Sequence, residues 1–139
     1  MTACTFHDTE PALLDRRLFE IVEKAYNQQK KVVVFAQSDQ RAAAIDRLLW
    51  IHKQECFIPH EIVATDYVES PISVAIVTAE VNPIAAGILV ADGHCHLEFA
   101  LGFDVIHEFV NRSSPQIHAA CRDRFRAYRE RQIPIQHLK

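Results

Sequence analysis

Between two stretches of helical periodicity the chain runs Lys-Val-Val-Val-Phe-Ala, residues 31–36. A continuous run of β-branched residues fits a strand buried on both faces, because a half-solvated strand would alternate apolar with polar. Before it, residues 12–29 place Leu14, Leu18, Ile21, Val22 and Ala25 on one helical stripe, and Lys30-Lys31 ends that helix. After it, Ser38 or Asp39 caps a helix over residues 39–50, with Ala42, Ile45, Leu48 and Leu49 facing inward. Helix, strand and helix with tight joins are the alternation of an α/β domain whose sheet is mostly parallel.

The remaining stretches extend this pattern. Residues 4–7, CTFH, read as a first strand, and Asp8-Thr9-Glu10-Pro11 carries helix-start chemistry. His52 to His60 is a loop holding an apolar knot, Cys56-Phe57-Ile58-Pro59. Glu61–Thr65 suggests a short strand, followed by a turn through Glu69-Ser70-Pro71. Ile72–Thr78 and Gly87–Ala91 read as further strands, separated by the break at Asn82-Pro83. Asp92-Gly93 is a turn signal, and Phe103–Val110 reads as a last strand or strand plus turn. A helix then closes the chain. With no repeat, linker or low-complexity segment, residues 1–139 are expected to form a single domain.

That closing helix, Gln116 to Arg131, carries two stripes. Cys121, Phe125, Tyr128 and Gln132 fall at i, i+4, i+7 and i+11, and His118, Arg122, Arg126 and Arg129 fall at the same spacing beside them. The two are about 100° apart round the helix, since each residue advances it by that angle. Ser113-Ser114-Pro115 offers a serine cap before an N1 proline. An aromatic stripe sharing an edge with an arginine stripe fits an ordinary surface helix. It also fits a groove for an acidic ligand with an apolar side chain, because arginine clamps carboxylates and the aromatic edge takes the apolar group.

Charge distribution favours a local anion site. Residues 115–139 hold six basic residues (Arg122, Arg124, Arg126, Arg129, Arg131, Lys139) against Asp123 and Glu130, although the whole chain is −3. A mildly acidic body with a basic end argues against coating nucleic acid. Direct single-strand binding would need a longer basic groove with exposed stacking rings. Cys4, Cys56, Cys95 and Cys121 are widely spaced with no CxxC pair, so free thiols and a cytoplasmic location are expected. No run is long and apolar enough to span a bilayer.

Other constellations are thinner. The chain has three glycines, Gly87, Gly93 and Gly102, and the turn after KVVVFA is Gln37-Ser38-Asp39-Gln40, with an acid where a phosphate would sit. A nucleotide- or phosphate-handling α/β enzyme is therefore the rival reading, and it rests on fold analogy. His94, Cys95 and His96 are dense in metal-ligand types, His94 and His96 would share one face of a strand, and Cys4, His7 and Asp8 could join them, but the second spaced pair of a zinc site is missing. No nucleophile elbow or HExxH motif is present, so no catalytic residue and no cofactor are assigned. Trp50 and the Phe57-Ile58-Pro59-His60 knot either fold onto the core or form a docking patch, since exposed tryptophan and phenylalanine are typical interface anchors.

Leu48-Leu49-Trp50, then Phe57-Ile58-Pro59-His60, then Arg122-Asp123-Arg124-Phe125-Arg126-Ala127-Tyr128-Arg129, after an opening TFH, form an ordered set over nearly the whole chain. In that order the chain resembles the chi subunit of bacterial DNA polymerase III. The resemblance implies a three-layer α/β fold like a nucleotide-binding domain without its phosphate loop. It implies a non-catalytic accessory subunit of the clamp loader. Such a subunit binds the acidic C-terminal tail of single-stranded-DNA-binding protein, whose last residue is phenylalanine, and also binds the psi subunit. By the match, Arg122, Phe125 and Arg126 fall on tail-binding positions, with Val110, His118 and Tyr128 at or beside the pocket. Trp50, Phe57, Pro59 and His60 fall on the partner surface, which would take psi or a helicase. Phe125 replaces a common tyrosine, removing a hydroxyl contact, and His118 stands where a lysine can occur.

Overall fold

A computed structural model describes residues 2–51, 57–65 and 71–139. Among these residues seven strands form one sheet: β1 (Ala3–Asp8), β2 (Val32–Phe35), β3 (His60–Ile62), β4 (Val74–Val77), β5 (Ile88–Ala91), β6 (Val105–Val110) and β7 (Ile135–Leu138). Their order is β3-β4-β2-β5-β6-β1-β7, and every neighbouring pair is parallel. The valines of β2 lie at the centre of the sheet and are buried on both faces, as a continuous apolar run requires.

Helices cover both faces. Val32, Val34, Val74, Ile76 and Val90 pack with α1 (Leu14–Asn27) and α2 (Asp39–Ile51). Val33, Phe35, Ala75, Val77, Leu89 and Phe6 face the other way, toward α3 (Leu97–Ala100) and α4 (Pro115–Glu130). The alternation along each strand thus makes two apolar layers between three structural ones.

The helix ends follow local chemistry. Ser38 caps α2, its Oγ accepting from Arg41 N at 3.1 Å, which decides between the two predicted caps. Ser114 caps α4 in the same way, accepting from Ile117 N at 3.1 Å ahead of Pro115. The first helix opens differently. Glu10 makes no side-chain cap, and Pro11–Leu13 forms a 3-10 turn before α1.

Three expectations need correcting. The arginine helix does not close the chain: β7 follows it and pairs with β1 at the sheet edge. Gln132 leaves the aromatic stripe, because α4 ends at Glu130 and Gln132 turns into the left-handed region with φ 61°. The segment after Gly93 is not a strand placing His94 and His96 on one face; it is a loop leading into α3. Cys56 and the Glu69-Ser70 part of the predicted turn lie outside the described residues. Cys4, Cys95 and Cys121 are buried free thiols.

On the α1 face of β1 and β6, His7 Nε2 lies 2.9 Å from His107 Nδ1. Arg17 Nη1 lies 3.3 Å from His7 Nδ1 and can only donate, so that nitrogen accepts and His7 donates to His107. Burial lowers both histidines from 6.5 to about 4, with His107 and Arg17 adding to the shift at His7 and Lys24 at His107. Their folded values lie below the unfolded one. The stability they contribute is therefore complete above about pH 6.5 and is lost as pH falls toward 4. Melting temperature measured from pH 7 to pH 4 should fall through that window, and His107→Gln should flatten the fall. An unchanged slope in the variant would place the acid sensitivity elsewhere.

Candidate functional site

The connection from β6 through α4 to β7 passes over β1 and sets α4 above the sheet's edge. In register across that edge, Glu108 of β6, Phe6 of β1 and His137 of β7 form one row. Val110 and Asp8 form the next. Phe125 and Tyr128 descend from α4 onto Phe6, with ring centroids 5.3 and 5.9 Å away in edge-on geometry. The aromatic stripe therefore faces the sheet, as the spacing predicts.

Where α4 rises off the sheet a cavity of about 300 Å³ opens, lined by Phe6, Val110, Arg112, His118, Cys121, Arg122, Phe125 and His137. Four residues expected from sequence meet there: Val110, His118, Arg122 and Phe125. The aromatic and arginine stripes share this cavity, giving an apolar floor and a cationic wall. Phe6, Arg112, Cys121 and His137 were not assigned to it from sequence. Their signal was hidden because three of them come from β1, the loop after β6, and β7, which only the strand order brings together.

Two other assigned residues sit differently. Arg126 is exposed and does not line the cavity; its charge lies one turn along α4 from Arg122, 3.9 Å from Asp123. Tyr128 is 0% exposed, so it stands behind the cavity rather than in it. Its hydroxyl donates to Glu108 Oε2 at 2.6 Å. Arg124 joins the same carboxylate, through Nε at 3.0 Å from Oε1 and Nη2 at 2.5 Å from Oε2, and its Nη1 donates to the Cys95 carbonyl. Burial opposes the Arg124 charge, but Glu108 outweighs it and keeps the guanidinium protonated. Burial and Glu108 push the Tyr128 phenol far above its ordinary value. Arg124 is thus no solvated surface arginine; it ties α4 to the sheet.

A second surface lies at the opposite edge. Trp50 at the end of α2 is 54% exposed and Phe57 is 57% exposed. Their ring centroids are 5.3 Å apart, and Trp50 sits edge-on over His60 at 5.0 Å. His60 itself is buried: Nδ1 donates to the Ile58 carbonyl at 2.7 Å, while Nε2 lies 3.2 Å from Asp46 Oδ1 with poor hydrogen-bond alignment. Pro59 is half-buried and its carbonyl accepts from Ser73 and Val74. Of the four residues assigned to this surface, Trp50 and Phe57 present large rings to solvent, and His60 supports them from beneath.

The remaining candidate centres are dispersed or filled. His94 turns toward Cys121 Sγ at 3.7 Å, Cys95 is buried near Arg124, and exposed His96 pairs with Glu80 at 2.9 Å. The three side chains diverge, and among the described residues no group of three or more metal-ligating side chains converges. A sheet of this type takes nucleotides where neighbouring strands send their connections to opposite faces, here between the ends of β2 and β5. There Arg41 grips Asp92 through Nε at 2.8 Å and Nη2 at 2.9 Å, and reaches Asp15 at 2.7 Å. Gly93 lies so close to Gln37 that a Cβ would stand 2.8 Å from its backbone nitrogen. The two loops touch, and the arginine is already held by two carboxylates, leaving little for a phosphate to bind. Among the described helices none is long and apolar enough to cross a membrane.

Comparison with known proteins gives a consistent answer. The family model described as the DNA polymerase III chi subunit matches residues 1–136. A relative from Pseudomonas aeruginosa, named DNA polymerase III subunit chi, is 31% identical over 119 residues, covering 84% of this chain and 79% of its own.

Proposed function

The chain belongs to the DNA polymerase III chi subunit family, and from that premise we propose that it ties the clamp loader to single-stranded-DNA-binding protein. It does so by binding that protein's acidic C-terminal tail in the cavity between α4 and the sheet edge. The observation that carries this reading is the cavity's composition: Arg122 and Arg112 with His118 and His137, around Phe6, Val110 and Phe125. A tail of aspartates ending in a phenylalanine needs cations beside an apolar recess. The volume, about 300 Å³, suits one aromatic side chain with its neighbours. The role is one of contact without catalysis, exercised in the cytoplasm. Sedimentation with intact single-stranded-DNA-binding protein should show a complex that disappears when its last residues are removed. A complex that survives the truncation would overturn the reading.

The Trp50–Phe57 pair supports a second contact, with psi or a helicase. Two large rings in contact with each other and exposed to solvent are unfavourable unless a partner covers them. Trp50→Ala or Phe57→Ala should weaken that contact by about 2 kcal/mol, roughly thirtyfold, and leave tail-peptide affinity unchanged. The two surfaces lie on opposite sheet edges, so their effects should add. Binding to immobilised psi and to the tail peptide, measured on the same variants, checks this. Equal loss at both sites would mean the substitutions disturb the fold rather than a docking patch.

A further inference from the structure

We propose that the cleft between α1 and the β6-β1-β7 end of the sheet is a small-molecule site for a carboxylate carried on an apolar chain. The cleft lies on the opposite face of the sheet from the cavity under α4 and shares no residue with it.

The apolar layer beneath α1 and α2 takes its strand residues from β2, β4, β5 and β6, and none from β1 or β7. Beside α1 this leaves a cleft of about 470 Å³ whose floor is the sheet itself. One row of that floor is polar: His107 of β6, Thr5 of β1 and Gln136 of β7 stand in register. Val105 and Leu138 occupy the cleft in the rows on either side.

The hydrogen-bond order of the two histidines leaves a donor facing this cleft. Arg17 donates to His7 Nδ1 at 3.3 Å, so His7 Nε2 carries the hydrogen that meets His107 Nδ1 at 2.9 Å. His7 is 4% exposed and both its nitrogens are used. His107 accepts at Nδ1, so as a neutral ring it carries its own hydrogen on Nε2. Among the described residues no acceptor meets that hydrogen, and the Thr5 hydroxyl and the Gln136 amide have no partner either. Three side chains able to donate thus stand abreast at the strand spacing, about 5 Å.

α1 supplies the charge. Lys24 lines the same cleft, close enough for its ammonium to oppose protonation of His107, and it has no ion-pair partner among the described residues. Arg17 is occupied by His7 and stands 4.0 Å from Glu20. A free ammonium above a row of donors calls for an oxyanion. Glu20 at the rim makes a monoanion a better match than a phosphate dianion. Ile21, Ala25, Ile88 and Val105 line the rest, and a bare inorganic ion would leave that surface uncovered. A carboxylate satisfies both halves: its oxygens accept from His107 Nε2–H and Lys24, and its chain lies against the apolar lining.

Nuclear magnetic resonance of the full chain tests this, following the histidine ring nitrogens and the backbone amides. The probes are octanoate, octanamide and inorganic phosphate. Octanoate should move the His107 Nε2 signal and the amides of β1 and β7, with a Kd of about 1 mM or tighter, and leave His118 unmoved. Octanamide lacks the charge and phosphate lacks the chain, so each should bind at least about tenfold more weakly. Lys24 is exposed, so Lys24→Gln should keep the melting temperature while weakening octanoate about tenfold. No binding of octanoate, or binding that leaves His107 unmoved, would overturn the site. Phosphate or octanamide binding as tightly as octanoate would overturn the assigned ligand, and a Lys24→Gln variant that binds like wild type would overturn the assigned cation.

Discussion

Replacing Glu108 by alanine is expected to lower folding stability by about 3–5 kcal/mol, the largest effect of any substitution considered. Glu108 is 1% exposed and accepts from Arg124 and from the Tyr128 hydroxyl. Its removal leaves a guanidinium and a phenol facing an apolar layer with no anion between them. Largely buried Arg124 would retain its bond to the Cys95 carbonyl and longer contacts with Cys95 Sγ and the Tyr128 hydroxyl, none of them with an anion. The pair need not make the fold more stable than a well-packed apolar substitute would. What costs so much is stranding one partner. Arg124→Met with Glu108→Leu should therefore recover much of the loss, whereas either change alone should not. Urea unfolding of the two single variants and the double variant decides this. Additive losses would mean the two groups do not act as a unit.

This network was not legible in the sequence. Arg124 reads there as one of several arginines on a basic helix, and Glu108 lies unremarked within the last strand. Their meeting depends on α4 crossing back over β6 and β1, a long-range fact that no local period encodes. By contrast, α1, α2 and the central strands were legible because their signals are local. KVVVFA needs two buried faces, and Ser38 and Ser114 cap where their neighbours allow it. The edge strand β7 escaped because Ile-Gln-His-Leu, four residues with two polar positions, carries no run long enough to register. Missing β7 also hid His137, and with it one side of the cavity. The helical wall of the cavity was legible, since His118 and Arg122 follow one stripe and Phe125 the neighbouring one. The sheet half was not.

The second large effect concerns ligand binding. Arg122→Ala should weaken the tail peptide by about 1.5–3 kcal/mol, roughly tenfold or more, because a charge-assisted contact is lost beside an apolar recess. Arg122 is exposed and makes no fixed bond among the described residues, so melting temperature should hardly change. Arg126→Ala should weaken binding less, since Arg126 stands outside the recess and its nearest anion is Asp123 at 3.9 Å. Asp123→Ala should not weaken binding at all; it removes the carboxylate beside Arg126. Added salt should weaken the wild-type complex, as expected for exposed charges. If Arg122→Ala binds like wild type, the arginine stripe is only a solvated helix face.

The most direct measurement compares two peptides on the wild-type protein: the acidic tail of single-stranded-DNA-binding protein, complete, and the same tail without its terminal phenylalanine. The complete tail should bind with measurable heat. The shortened one, which loses the ring that fills the recess between Phe6, Val110 and Phe125, should bind at least tenfold more weakly, by roughly the same margin as Arg122→Ala. Equal binding of the two peptides would contradict the account, because the cavity would then be reading acidic charge alone.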